Sequence, residues 1–186
     1  KSPASQKLRV LLQSRRCLLD KRLDIEAQIR GTLKTFGMKA GAMTPVTFES
    51  RFRELIRDDK ELQIFLDPLI VARRHMREQC LKIEKMILAI GKNSEVCRRL
   101  ITIPGIGVLT ALSFMTTIDR PERFGKSRNV GVALGLTPRK YASGQVDFDG
   151  RITKCGDHMT RYHLFEAAKS LLGRVKKWNA LKAWGM

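Results

Sequence analysis

Between Ser5 and Phe36 one pattern repeats without interruption, and it dictates a single long helix. Leu11, Leu18 and Ile25 recur every seventh residue. Leu8, Leu12, Leu19, Ile29, Leu33 and Phe36 widen them into one apolar face. Roughly 32 residues at the α-helical rise make a rod about 48 Å long. The stretch from Gly37 to Thr47, with Gly41 and Pro45, reads as a loop, and a short helix over Phe48 to Arg57 follows with Thr47 as its N-cap. A second long helix is expected from Lys60 to Ala89, its stripe drawn from Leu62, Phe65, Leu69, Ala72, Met76, Ile83, Met86, Ile87 and Ile90. Pro68 should kink or restart it. Two such helices with a compact connection predict an antiparallel coiled-coil arm over residues 1–91. The same pattern fits pairing between two protomers, so a homo-oligomer is expected. Lys7, Arg9, Arg15, Arg16, Lys21, Arg22 and Arg30 occupy the other face of the first rod. Solvation of a long helix and contact with a nucleic-acid backbone both account for them.

The rest, residues 92–186, reads as a small helical domain. Gly91-Lys-Asn-Ser94 should break the second rod, with Ser94 capping a helix that runs to Ile101. Ile103-Pro-Gly-Ile-Gly107 and a helix from Val108 to Thr117 then form a helix-hairpin-helix. In such a turn the amides around Gly105 and Gly107, with the helix N-terminus, can face a phosphate. A loop covers Asp119 to Gly125 and a short helix covers Lys126 to Leu134. Extended chain from Thr137 to Ile152 is expected to turn at Asp149-Gly150. From Asp157, as N-cap, a helix to Leu172 should place Tyr162, Phe165, Ala168 and Leu172 inward, and Trp178 and Trp184 are expected in the core. The fold class is therefore mainly α, an arm followed by a helical domain with one short β-hairpin.

Charge narrows the partner. Of 186 residues, 36 are Lys or Arg and 18 are Asp or Glu, a formal net charge of +18. Residues 1–100 carry +10 and residues 101–186 carry +8, so the excess is not a detachable tail. A field of that size points to a polyanion, nucleic acid before an acidic membrane surface. Cys17, Cys80, Cys97 and Cys155 contain no Cys-x-x-Cys pair, and His75, His158 and His163 supply no zinc spacing. No metal site is expected here. Reduced thiols in a cytoplasmic protein are expected, with no membrane association.

One stretch has the makings of chemistry. Ser143 lies in Gly135-Leu-Thr-Pro-Arg-Lys-Tyr-Ala-Ser-Gly144, and Gly150-Arg-Ile-Thr-Lys-Cys-Gly-Asp157 follows. A glycine-flanked serine between Arg139 and Lys140 on one side and Arg151 and Lys154 on the other suits an approach to a phosphodiester. Gly144 allows close backbone contact, and the cations can hold developing charge. A plain surface turn has the same composition. Asp119, Asp147, Asp149 and Asp157 are ordinary turn or cap residues on their spacing, and no local general base for Ser143 is evident.

Ile103-Pro-Gly-Ile-Gly107, Phe124 to Leu136, Tyr141-Ala-Ser-Gly144 and Gly150 to Asp157 closely resemble the C-terminal serine domain of the bacterial insertion-sequence transposases of the IS-one-ten family. These are relatives of the Piv-type DNA invertases. Lys1 to Gln6 and Asp24 to Gly37 look like that family's linker helix, so the resemblance spans nearly the whole chain in motif order. It implies DNA recombination with Ser143 as nucleophile, forming a transient phosphoserine link. Arg139, Lys140, Gly144, Arg151 and Lys154, with Gly105 and Gly107, become candidates for DNA contact. It also implies Mg2+ on four acidic residues of an upstream nuclease-like domain, absent from these residues. A structured guide RNA joins DNA as an implied partner, since some members use one. On this view the chain is a fragment that binds nucleic acid but is catalytically incompetent alone. Tyr141, Trp178 and Trp184 could stack on bases.

Overall fold

The computed structural model describes residues 1–186, which are almost wholly helical apart from one β-hairpin. Two compact units divide the chain. One comprises Gln13–Lys85, the other Lys1–Leu12 together with Met86–Met186.

The first unit is built from α1 (Pro3–Thr35), α2 (Phe48–Leu55) and α3 (Lys60–Asn93), of which α1 and α3 contribute residues to both units. Ile29 and Leu33 of α1 meet Phe48, Phe52 and Ile56, and Leu62, Leu66 and Ile70 of α3 close the same core. On α1 the stripe read from the sequence becomes a packed seam at Ile29 and Leu33, but on α3 the seam runs through Leu62, Leu66 and Ile70 while Phe65, expected in it, is 70% exposed. α2 fills the end where the two long helices join. Phe36, expected in the seam, is exposed because α1 stops one residue before it. Thr47 precedes α2 but makes no capping bond from its side chain. Its hydroxyl instead lies 2.9 Å from that of Thr44, closing the turn in front of the helix.

Pro68 does not restart a separate element, since α3 is one continuous helix around it. Pro68 and Ile64 are both exposed. The carbonyl left without a donor by the proline therefore lies on the wet side of the helix, where water replaces the lost bond. Several cations of the first rod are engaged within the unit. Arg15 meets Glu84 at 2.6 Å, Arg22 lies 3.6 Å from Glu26, and Arg30 lies over the Phe48 ring.

In the second unit, Gly91 does not break α3, which runs on to Asn93. A Cβ at Gly91 would meet a Val108 methyl at 2.6 Å, so glycine here serves close packing against the following helix pair. Ser94 then caps α4 (Glu95–Ile101), accepting from the Cys97 amide at 3.2 Å. α5 (Val108–Ile118) packs on α7 (His158–Gly173) through an unusually polar contact. Ser113 and Thr160 hydroxyls lie 3.0 Å apart, Thr117 and Thr160 hydroxyls 2.7 Å apart, and the Thr110 hydroxyl donates to the His163 carbonyl.

That contact corrects the expected orientation of α7. Tyr162 and Phe165 are exposed, while Thr160, Ala167 and Leu171 face inward. The reason is close approach: a Cβ at Gly105 would lie 2.6 Å from the Ala167 carbonyl and 3.0 Å from the Leu171 Cβ, so α7 turns Ala167 and Leu171 against the Gly105 turn. Trp178 and Trp184 are also not core residues. They are 62% and 86% exposed, the second on the short α8 (Ala180–Gly185). No helix is long and apolar enough to cross a membrane, and all four cysteines are free thiols, two of them buried.

Candidate functional site: the serine hairpin

Local sequence explains the hairpin. The short helix α6 (Arg128–Ala133) ends in a turn at Gly135, whose φ of 66° is the left-handed region that glycine enters freely. The chain leaves extended, as β1 (Pro138–Ser143), and returns as β2 (Val146–Ile152). Ser143 pairs with Val146, so the turn is Gly144-Gln145 and not Asp149-Gly150. Gly144 takes a φ of 57°, which suits glycine at the first central position of a two-residue hairpin loop. Asp149 sits within β2 opposite Lys140, and Gly150 lies at an irregularity in the ladder between Pro138 and Lys140. Gly150 is needed there because a Cβ would meet the Tyr141 ring at 2.7 Å.

The base of the hairpin is fixed by backbone. Thr153 donates to the Thr137 carbonyl at 2.9 Å and Lys154 to the Gly135 carbonyl at 3.0 Å. Beneath them two glycines cross. A Cβ at Gly135 would lie 2.5 Å from the Cys155 nitrogen, and one at Gly156 would lie 2.3 Å from the Ala133 carbonyl oxygen. Lys154 adopts a φ of 58°, a conformation costly for a residue with a side chain. Arg161 of α7 donates to the Leu134 carbonyl at 3.1 Å, tying the turn to the helical core. Asp157 caps α7 through the Thr160 amide at 2.7 Å and receives Arg9 as an ion-pair partner. Burial raises the Asp157 pKa, but the Arg9 and Thr160 hydrogen bonds outweigh it and hold the carboxyl below its ordinary value.

Ser143 is therefore at the exposed tip of the ladder, and the four cations are not gathered around it. Arg139 lies four residues down β1, roughly 13 Å away at strand spacing. Arg151 is at the same level on β2, and Lys154 lies beyond it. Lys140 points to the opposite face from Ser143 by strand alternation and pairs with Asp147 at 3.3 Å. Gly144 stands next to the serine. Gly105 (φ 87°) is turned into the protein against α7, whereas the Cα of Gly107, the N-cap of α5, faces open space. His158 starts α7 and His163 lies further along it. An apolar concavity of about 750 Å³ is lined by Leu8, Leu11, Met86 and Phe114 among others, and Ser143 is not part of it.

Sequence reasoning missed the pair beside the serine. Tyr141 and Phe148 are directly opposite in the ladder, their rings stacked at 5.0 Å with 16° between planes. The signal was the choice of turn: a turn at Gly144-Gln145 puts these two aromatics in register, and a turn at Asp149-Gly150 does not.

Comparison with known proteins gives the family. Residues 97–184 match the domain described as the transposase of the IS116/IS110/IS902 family. The chain is similar to the transposase for insertion sequence element IS1111A of Coxiella burnetii, 31% identical over 95% of the chain and 50% of that relative. It is also similar to the transposase for insertion sequence element IS1328 of Yersinia enterocolitica, 32% identical over 55% of the chain and 30% of the relative. The matched stretch, residues 97–184, belongs to this insertion-sequence transposase family, and the chain spans about half the length of the first of these relatives.

Proposed function

We propose that these residues form the strand-exchange portion of a DNA transposase, with Ser143 as its nucleophile. The observation that supports this most is the placement of Ser143 at the outermost turn of a hairpin whose base is locked by crossing glycines. The serine hydroxyl is thereby presented away from the protein, where a duplex or a displaced strand can reach it. The Ser143 Oγ attacks phosphorus, an Oγ–P bond forms, and the P–O bond to the leaving deoxyribose oxygen breaks. The serine proton passes to a base and the leaving oxygen takes up a proton. A DNA hydroxyl then attacks the phosphoserine and restores Ser143. Bond energy is conserved in the link, so no nucleotide triphosphate is consumed.

The separation of the cations from Ser143 assigns them another task. Arg139 and Arg151, about 13 Å away along the ladder, and Lys154 beyond its end would hold phosphates flanking the one attacked. Charge at the attacked phosphorus, and the base for Ser143, would come from elsewhere in the full-length protein. Mg2+ would belong there too. No three His, Cys, Asp or Glu side chains come together here to hold a metal, so no step is routed through one. The open Gly107 amide region at the start of α5 would contact backbone phosphate without reading sequence. DNA, a guide RNA encoded by the element and a second protomer are the partners this proposal includes.

The scattered cations also favour a second reading, in which this part only binds nucleic acid and oligomerises. One experiment separates the two. Full-length protein is incubated with its element DNA and associated RNA, and a protein–DNA adduct is sought on a denaturing gel for wild type and Ser143→Ala. An adduct lost in the alanine variant, with binding intact, establishes the serine route. Recombination that survives in Ser143→Ala rejects it and leaves a docking module.

A further inference from the structure

Tyr141 and Phe148 are 48% and 55% exposed although they are the largest apolar groups of the hairpin, and Val146 beside them is exposed as well. A two-stranded ladder has no second layer to cover such a face. The face is also chemically one-sided. By alternation it carries Arg139, Tyr141, Ser143, Val146 and Phe148, while the carboxylates Asp147 and Asp149 lie on the other side with Lys140. Aromatic planes, a basic residue and a hydroxyl therefore share one surface free of acidic groups. Tyr141 is two residues from Ser143, about 7 Å at strand spacing, the scale of one nucleotide.

We propose that the Tyr141–Phe148 pair is a stacking platform for an unpaired base of the DNA strand whose phosphodiester meets Ser143. This rests on the reading of Ser143 given above. The occupant follows from complementarity. A flat, hydrogen-bond-tolerant π surface flanked by cations suits a base attached to a phosphate chain, because every base offers a π-face and the chain carries the opposite charge. An aliphatic protein surface would meet Arg139 and a hydroxyl within the same patch. The platform sets which nucleotide lies at the serine by holding its neighbour, so it is a positioning device and takes no part in bond making. Gly150 is part of it, since a side chain there would push the Tyr141 ring from its place.

The test uses full-length protein carrying Ser143→Ala in every arm, so that no covalent chemistry enters the readout. The probe is a single-stranded DNA oligonucleotide with one 2-aminopurine, and matched single-stranded RNA and blunt duplex DNA serve as comparison arms. Quenching of the probe and a fall in single-strand DNA affinity of roughly 5- to 150-fold on Tyr141→Leu with Phe148→Leu are expected. Duplex affinity should be unchanged. Tyr141→Phe should restore quenching, and Gly150→Ala, which keeps both rings but displaces one, should weaken it. Circular dichroism of the leucine pair shows whether the fold is retained, and the Tyr141→Phe and Gly150→Ala arms decide the matter if it is not.

Equal quenching and affinity in all variants would overturn the platform. So would a loss confined to RNA, or a change of oligomeric state with DNA binding intact, which would make the face a protein contact. An intact platform with no adduct in the Ser143 protein would reject the nucleophile alone.

Discussion

Glu26 and Arg73 face each other from α1 and α3 at 2.8 Å, with both side chains almost withdrawn from water. Arg73 does more than neutralise the carboxylate. Its guanidinium also donates to the Pro45 carbonyl at 2.7 Å and lies 4.4 Å from the Phe48 ring centroid. One cation thus joins both long helices, the loop between them and the first turn of α2.

Removing one partner should be worse than removing both. Glu26→Ala leaves a buried guanidinium without its counter-charge and should cost about 3–5 kcal/mol. Glu26→Leu combined with Arg73→Met should cost less, because the most buried cation leaves with its partner and only Arg22, 3.6 Å from Glu26, loses a counter-charge. Urea unfolding curves of the two variants against wild type check this, and equal losses in both would contradict it.

The crossing glycines make a second prediction, about mechanics at the hairpin base. Gly156→Ala places a methyl 2.3 Å from the Ala133 carbonyl oxygen, a backbone atom that cannot swing aside. A loss of at least about 1–3 kcal/mol is expected. Hydrogen exchange at the Thr153 and Lys154 amides, which close the base, should accelerate. Gly144→Ala meets open space and carries only the conformational penalty of a positive φ, about 1–2 kcal/mol. Its effect should stay within the tip amides.

Acid titration gives a third. Hydrogen bonds from Ser5, then from Ser2, push the Asp119 pKa well below the usual carboxylate range. A group whose pKa is depressed by folding contributes stability that is complete above its unfolded value, near 3.8. That contribution fades as pH falls from there through the lower folded value. Residues 1–12 should accordingly stay attached at mildly acidic pH and loosen only in strong acid. Asp119→Ala should loosen them at neutral pH. Hydrogen exchange of the first turn of α1 as a function of pH checks both.

The long helices were legible because their information is local and redundant, nine apolar positions agreeing on one face. Three errors have a common origin in close approach, which depends on a partner distant in sequence. Gly91 resembled a helix stop until Val108 was seen against it. The inner face of α7 was assigned to Tyr162 and Phe165 by size, but the Gly105 turn and a polar α5 meet Thr160, Ala167 and Leu171 instead. Asp149-Gly150 has the stronger turn composition of the two candidates, yet Gly144-Gln145 turns the chain. Pairing there aligns Tyr141 with Phe148 and leaves Gly150 to make room for a ring. Ser143 and its cations were named as candidates from sequence. Their separation was not legible there, since closeness along a chain becomes distance once the chain is drawn into a ladder.

The irregular step opposite Arg139 carries a consequence for how such a hairpin can change over evolutionary time. In a ladder, parity is inherited from the turn, and one inserted residue between Phe148 and the tip would send Phe148 to the face opposite Tyr141 and Ser143. Insertions there should survive only in even numbers. Below the step, where the surplus residue of β2 is already absorbed, odd changes in length can be tolerated without disturbing the tip. The hairpin is thus divided into an outer part whose length is quantised and an inner part where lineages are free to drift.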